Sequence, residues 1–176
     1  MTAMVPAEIV GVRLDPVRGA SAVVLGPTGD PTRVLPIAIG SAQAHSIASA
    51  LARRAAPRPN THDLTASLIA AAGLRLDEVA VTELRNGMFS AEVFVESADG
   101  MSSLSARPSD AIALAVRMDA PIFVSADVMN EAGVHVDRAS PDVLDDEEID
   151  RVVEEFQQFL DHASAADFAD DSSNDG

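Results

Sequence analysis

The stretch SARPSDAIALAVR, residues 105–117, joins a predicted strand to a predicted helix and decides how the rest of the chain is interpreted. The strand pattern ends at Arg107-Pro108, and a helical pattern begins at Ser109-Asp110. A residue that precedes proline is held extended, so the direction of Arg107 is restricted. Ser and Asp are both favourable at helix N-termini. The stretch is therefore either a positioned reactive site or only the boundary between two elements.

The same junction occurs twice, because three strand patterns also precede an earlier helical pattern. Strands are identified from alternating apolar runs, and helices from apolar residues at helical spacing. In the first half the strands are 7–15, 21–27 and 32–40, followed by helices 41–54 and 61–73. In the second half the strands are 76–87, 88–97 and 101–107, followed by helices 108–119 and 125–133.

Short matches in the same order connect the two halves. Ala42-Gln43-Ala44 corresponds to Ser109-Asp110-Ala111, and Ala56-Pro57 corresponds to Ala120-Pro121. Each second helix also ends in Ala-Gly. The sequence therefore predicts an α+β fold in which a unit of three strands and two helices is internally duplicated, at 5–72 and 76–133, around one sheet.

The acidic residues are concentrated at the end of the chain. Residues 137–176 contribute −12 of the formal net charge of −16. Ser140 and Pro141 are typical of a helix start, and Ile149, Val153, Phe156 and Leu160 then fall on one helical face. This acidic amphipathic helix either covers an apolar groove of its own domain or binds a partner. We divide the chain into a domain at 1–136, the helix at 137–163 and a disordered tail at 164–176.

Composition excludes several classes of protein. The chain has no Cys, so disulfides and thiolate chemistry are excluded. No stretch approaches the length of a membrane span and the N-terminus has no signal pattern, so we expect a cytoplasmic protein without a membrane contact. All twelve basic residues are Arg, and the acidic balance argues against tight duplex binding. Weak nucleic-acid binding by a local Arg cluster stays open.

Comparing the halves separates two kinds of residue. Residues that the fold requires should occur in both halves, whereas a residue that occurs in only one half is a candidate for function. A first-turn Asp occurs in both, at Asp63 and Asp127, so these are interpreted as structural, with Thr61 a candidate N-cap. Ser109 and Asp110 fit the same capping interpretation. Arg107 instead corresponds to Gly40, and His62 to Ala126.

The fold therefore does not require Arg107 or His62. We take His62, Arg107 and Asp110 as catalytic candidates, and Arg58 and Arg107 as nucleic-acid contacts. A solvated Arg, an ion pair or a packing His are the simpler alternatives. Glu92 is more typical of the solvent side of an edge strand, and His45 of a helix surface. No residue is assigned to a metal.

Several stretches resemble the bifunctional nuclease family. They are Leu35-Pro36-Ile37-x-Ile39-Gly40, Pro57-Arg58-Pro59-x-Thr61-His62-Asp63-Leu64, Gly87-x-Phe89-x-Ala91, residues 105–111 and residues 120–124. The resemblance covers 5–136 and implies a duplicated fold with one barrel-like sheet, nuclease activity on DNA and RNA, and a homodimer. It carries no firm catalytic set. The chain departs from the family pattern at Gln43, where Glu is usual, and at Ser90, where Tyr is frequent.

We therefore predict a nuclease that acts on single-stranded or unstructured nucleic acid. Phosphodiester hydrolysis needs positive charge at the phosphorus, from a divalent cation such as Mg²⁺ or from a His base with an Arg electrophile. Arg58, His62 and Arg107 should then converge on one concave surface. One alternative is a non-enzymatic regulator or scaffold on the same fold. The other is a small-molecule binding domain, recognisable by a deep apolar pocket at Arg107 without a basic channel around it.

Overall fold

The computed structural model describes residues 3–13, 21–54, 57–136 and 146–162. Within them lie one eight-stranded mixed sheet and five α-helices. The elements in chain order are β1 (Met4–Arg13), β2 (Ser21–Pro27), β3 (Arg33–Ile39), α1 (Ser41–Leu51), α2 (Thr61–Ala71), β4 (Arg75–Arg85), β5 (Met88–Ser97), β6 (Gly100–Ala106), α3 (Pro108–Met118), β7 (Ile122–Ser125), α4 (Ala126–Ala132), β8 (Val134–His135) and α5 (Asp146–His162).

Two antiparallel three-stranded meanders form most of the sheet. Strands β1, β2 and β3 pair in sequence, and so do β4, β5 and β6. The short strand β7 joins the meanders, because it lies antiparallel to β1 and parallel to β4. The complete order is β6-β5-β4-β7-β1-β2-β3-β8. In the part of the chain that is described, the sheet is open, with β6 and β8 at its edges, so the predicted barrel-like closure is not found.

The two halves agree at first and then diverge. Each begins with a three-stranded meander and an 11-residue helix, α1 or α3. The second half then inserts β7 and continues with a seven-residue helix, α4, where the first half has the 11-residue α2. The internal duplication therefore stays a prediction. Strand β7 was not predicted, because the apolar run Ile122-Phe123-Val124 is too short to carry a periodic signal.

The core is aliphatic and lies on both faces of the central strands. All seven residues of β2 are buried. Since successive strand residues point to opposite faces, β2 must be covered on both sides. Helices α1 and α3 pack against each other, and α1 also contacts β1 and β2, whereas α5 contacts β1, β3 and β8. No helix among the described residues is long and apolar enough to cross a membrane.

The acidic helix α5 packs on its own sheet. Ile149, Val152 and Val153 are buried, and Arg13 of β1 bonds Asp150 with an Nε–Oδ1 distance of 2.9 Å. The predicted apolar face is therefore buried at Ile149 and Val153. The side chains of Phe156 and Leu160, the predicted helix start at residues 140–141 and the tail lie outside the described residues.

We expect Ile149→Ala to lower the free energy of unfolding by about 2–4 kcal/mol, since a buried aliphatic side chain is replaced by a cavity. The exposed Glu147, on the same helix, provides the control. Urea unfolding of the full chain measures both variants. Equal effects of Ile149→Ala and Glu147→Ala would contradict the packing of α5 against the sheet.

Candidate functional site

Three helices border an open cleft of about 950 Å³ on one side of the sheet. Helix α3 contacts both α1 and α2, and the cleft is lined from all three. Four arginines, Arg53, Arg54, Arg107 and Arg117, line it together with three aspartates. Arg53 and Arg54 follow the end of α1, where Arg53 has a left-handed φ of 50°. Both are exposed and neither forms an ion pair with another described residue. The cleft is therefore a local basic surface on an acidic protein.

A chain of hydrogen bonds runs along the cleft and joins the three helices. Ser46 Oγ of α1 lies 2.9 Å from His62 Nδ1 of α2. His62 Nε2 lies 3.2 Å from Asp110 Oδ1 of α3. Arg107 donates to both oxygens of Asp110, from Nε at 2.7 Å and from Nη2 at 3.1 Å. The structure thus brings together His62, Arg107 and Asp110, which lie up to 48 residues apart in the chain.

Arg117 and Ser46 complete this chain, and neither was predicted. Arg117 donates to Ser46 Oγ at 2.9 Å and to Asp63 Oδ1 at 2.6 Å, and its side chain is only 9% exposed. Because a guanidinium can only donate, Ser46 Oγ accepts there and is able to donate to His62 Nδ1. That assignment places the ring hydrogen of His62 on Nε2, facing Asp110. The sequence did contain a signal for Arg117. It follows the buried Ala113 by four residues, so it lies on the apolar face of α3, where a charged side chain needs a partner.

The helix starts position His62 and Arg107. Asn60, not Thr61, is the N-cap of α2, and its side chain accepts from the backbone N–H groups of His62 and Asp63. The carboxylate of Asp63 accepts in return from the Asn60 backbone N–H at 2.8 Å, which makes a capping box. The structural interpretation of Asp63 therefore fits, although the predicted cap residue was wrong.

Capping does not explain Asp110. The N-cap of α3 is Arg107, with Pro108 at the first helical position, and there is no side-chain cap hydrogen bond. Arg107 is extended, with φ −73° and ψ 144°, as expected before proline. Ser109 is buried and is not the cap. The carboxylate of Asp110 is bonded to Arg107 and His62 instead.

The two paired carboxylates are held in their charged form. Partial burial acts to raise the pKa of Asp110, but hydrogen bonds and charge from Arg107 and His62 outweigh burial and hold that pKa below its usual value. The backbone hydrogen bond from Asn60, followed by the hydrogen bond from Arg117, lowers the pKa of Asp63. Both carboxylates are therefore negatively charged at neutral pH when they are paired with Arg107 and Arg117.

The other candidates lie at the margin of the cleft or outside it. Arg58 is exposed and does not line the cleft, although the following residue, Pro59, does. The predicted convergence is thus seen for His62 and Arg107. His45 is exposed, as expected, and borders the cleft. Glu92 lies on β5, which is paired on both sides and is not an edge strand, and it accepts from Ser103 Oγ at 2.9 Å.

A second, mostly apolar cavity of about 490 Å³ adjoins the cleft. Arg107 and Gln43 line both cavities. The other residues that line the second cavity are Ile37, Ala38, Ile39, Gly40, Gly87, Met88, Phe89, Pro108 and Ser109. An apolar pocket at Arg107 therefore exists, but a basic cleft lies beside it. A small-molecule binding domain was expected to have an apolar pocket at Arg107 and no basic channel around it. Only the apolar pocket is present as expected.

Two of the three carboxylates in the cleft are already bonded to arginines. Mg²⁺ takes oxygen ligands, usually one or two carboxylates together with waters and substrate phosphates. Asp63 and Asp110 are each bonded to an arginine, at 2.6 and 2.7 Å, and position 43 has a neutral amide. Within the described ranges, no group of three or more His, Asp or Glu side chains is placed to hold a metal ion. A divalent cation such as Mg²⁺ at this cleft stays a prediction.

The fold and the cleft define an α+β domain with a basic, helix-lined site and an adjoining apolar cavity. The family model described as "Bifunctional nuclease domain" matches residues 23–137. The chain belongs to this family, so the resemblance seen in the sequence is confirmed. Two relatives from Mycobacterium tuberculosis are named "Uncharacterized protein Rv1829" (strain ATCC 25618 / H37Rv) and "Uncharacterized protein MT1877" (strain CDC 1551 / Oshkosh). Each is 39% identical over 166 residues, which cover 92% of this chain and 96% of the relative.

Acid should destabilise the protein through Asp63 and Asp110. A carboxylate with a depressed folded-state pKa stabilises the fold above its unfolded-state pKa of about 3.9, and this contribution is lost as the pH falls through the folded-state pKa. We therefore expect Asp63→Asn and Asp110→Asn to reduce the loss of stability below about pH 4. Urea unfolding at several pH values measures this, with Asp99→Asn in an exposed turn as the control. Identical acid profiles for all three variants would contradict the network.

Proposed function

We propose that this protein is a nuclease that hydrolyses phosphodiester bonds of single-stranded or unstructured DNA or RNA at the cleft between α1, α2 and α3. The observation that carries the proposal is the hydrogen-bonded chain Arg107–Asp110–His62–Ser46 in the wall of a cleft with four arginines. Membership of the bifunctional nuclease domain family supports the same reaction. The acidic balance of the whole chain favours a weakly bound strand over a duplex.

Arg107 is the group that binds the scissile phosphate. Its side chain is 69% exposed, and the pair with Asp110 uses Nε and one terminal nitrogen. The remaining N–H donors are available to a phosphate oxygen, and a guanidinium suits bidentate phosphate contacts. Its positive charge stabilises the charge that develops on phosphorus in the transition state. Arg53 and Arg54 contact neighbouring phosphates, with Arg58 as a more distant contact for the flanking strand.

Asp110 accepts the proton in the proposed reaction, and His62 positions Asp110. Both ring nitrogens of His62 are hydrogen-bonded, so Asp110 presents the acceptor oxygens at the cleft. While Arg107 is paired with it, Asp110 has a lowered pKa and is a weak base. A phosphate oxygen that binds the remaining N–H donors of Arg107 weakens the attraction of Arg107 for Asp110, and this raises the pKa of Asp110 towards its usual value. Asp110 then accepts a proton from the attacking water as the water oxygen bonds to phosphorus and the bond from phosphorus to the leaving oxygen breaks. His62 holds the other oxygen of Asp110, and solvent protonates the leaving oxygen.

A non-enzymatic, nucleic-acid-binding regulator is the second candidate function. Gln43 favours it, because this neutral amide lines both cavities at the position where the family pattern has a carboxylate. The same Arg cleft would then bind a strand without cutting it. The homodimer that the resemblance implies stays a prediction for either function.

We expect Arg107→Ala to reduce cleavage of an end-labelled single strand by about 10²-fold, the usual loss when one transition-state donor is removed. The thermal midpoint should change little, because Arg107 is mostly exposed. Arg75→Ala is the matched control, since Arg75 is 62% exposed, is also paired with carboxylates and lies outside both cavities. Arg58→Ala should have a smaller effect than Arg107→Ala.

Assays with EDTA and with added Mg²⁺ separate the two candidate functions. Cleavage that survives EDTA and is lost in Arg107→Ala supports a nuclease that relies on its arginines. Binding without cleavage in both conditions supports the regulator. Cleavage by Arg107→Ala at the rate of the unmodified protein would contradict the proposed role of the cleft.

A further inference from the structure

We propose that the second cavity, of about 490 Å³, is a subsite that receives one nucleobase of the bound strand. The cavity lies between the end of β3, the start of β5 and the start of α3, and opens beside the basic cleft. This inference rests on the proposed function, because it takes the neighbouring phosphate to be held at Arg107. The cleft alone accounts only for a phosphate group. The cavity adds that the ligand carries bases on its backbone.

The surfaces of the cavity suit the flat face of a base. Ile37, Ile39, Met88, Phe89 and Pro108 supply most of its wall. Bases stack on aromatic and apolar side chains, and this contact tolerates any base because each has a π face. The volume lies within the range of small-ligand sites, about 300–1,000 Å³. The basic cleft suits the phosphate of a nucleotide, and the adjoining apolar cavity suits its base.

Gln43 gives the cavity a polar group that suits the edge of a base. An amide offers both donors and an acceptor, whereas a carboxylate offers only acceptors. Base edges also present both, and amide side chains are common partners for them. A Cβ at Gly40 would collide with Oε1 of Gln43, so glycine at the start of α1 allows this side chain to lie where it does. Replacement of a carboxylate by Gln43 is therefore suited to binding a base beside a phosphate.

Arg107 sets the spacing between the two parts. It lines both cavities, and its backbone is fixed by Pro108. A guanidinium held at the shared wall can bind a phosphate in the cleft while the base attached to the same nucleotide enters the apolar side.

The test compares two labelled single strands of about ten nucleotides, one with adenine bases and one with an abasic backbone of the same length. Their affinities for the full-length protein are measured by fluorescence anisotropy. We expect the strand with bases to bind about tenfold more tightly, a ratio typical of base stacking. Met88→Ser and Phe89→Ala should reduce this ratio towards one without changing the affinity for the abasic strand.

Met101→Ser is the matched control, because Met101 and Met88 are both strongly exposed methionines on strands, at 53% and 70%, and Met101 lines neither cavity. Met88→Ser also guards against loss of folding in Phe89→Ala. Equal affinity for both strands would overturn the base subsite while leaving the phosphate cleft intact. Binding of neither strand would overturn the proposed function as well. An equal loss in Met88→Ser and Met101→Ser would also overturn the subsite.

Discussion

The position of Arg117 is the constraint on which the cleft depends. This nearly buried guanidinium on α3 bonds Asp63 of α2, Ser46 of α1 and the carbonyl oxygen of Ala113 in its own helix. A buried charge must be paired, and removing one partner costs about 3 kcal/mol or more. The partners of Arg117 come from three helices, so its charge can be satisfied only when these helices are packed together. The cleft walls are therefore fixed by an electrostatic requirement as well as by the aliphatic core.

Asp63 connects this requirement to the local start of a helix. One carboxylate oxygen accepts from the Asn60 backbone and the other from Arg117. The capping box that starts α2 also binds the backbone N–H of His62 to Asn60 Oδ1 at 2.9 Å. His62 is thus held by its backbone through the cap and by its ring through Ser46 and Asp110. A side chain restrained at both ends loses little further freedom when a ligand binds, which suits the positioning role proposed for His62.

Local patterns predicted most of the elements but not how they combine. The strands of both meanders and the helices α1 to α3 follow from periodicity and turn residues, and Arg107 stood out because the other half has glycine in its place. Ser46 and Arg117 were missed because their roles arise from contacts 71 residues apart, which no local pattern reports. Strand β7 was missed because only pairing with β1 and β4 makes four residues into a strand. The barrel-like sheet was not found, because a local pattern does not show whether the two edge strands, here β6 and β8, pair with each other.

The overall charge limits how such a protein can hold a strand. Attraction by the cleft arginines acts over about 8 Å at physiological ionic strength, so acidic residues beyond that distance are largely screened from it. Screening also weakens the contacts between the arginines and phosphate. Because the cleft has only a few arginines, binding releases only a few counterions and gains little affinity from them. Contacts between apolar side chains and bases do not depend on salt in this way. An acidic protein with a small basic cleft therefore gains more from an adjoining apolar cavity than a basic one would. On the proposed function, single strands are the ligands that can use both, because their bases are free to leave the stack.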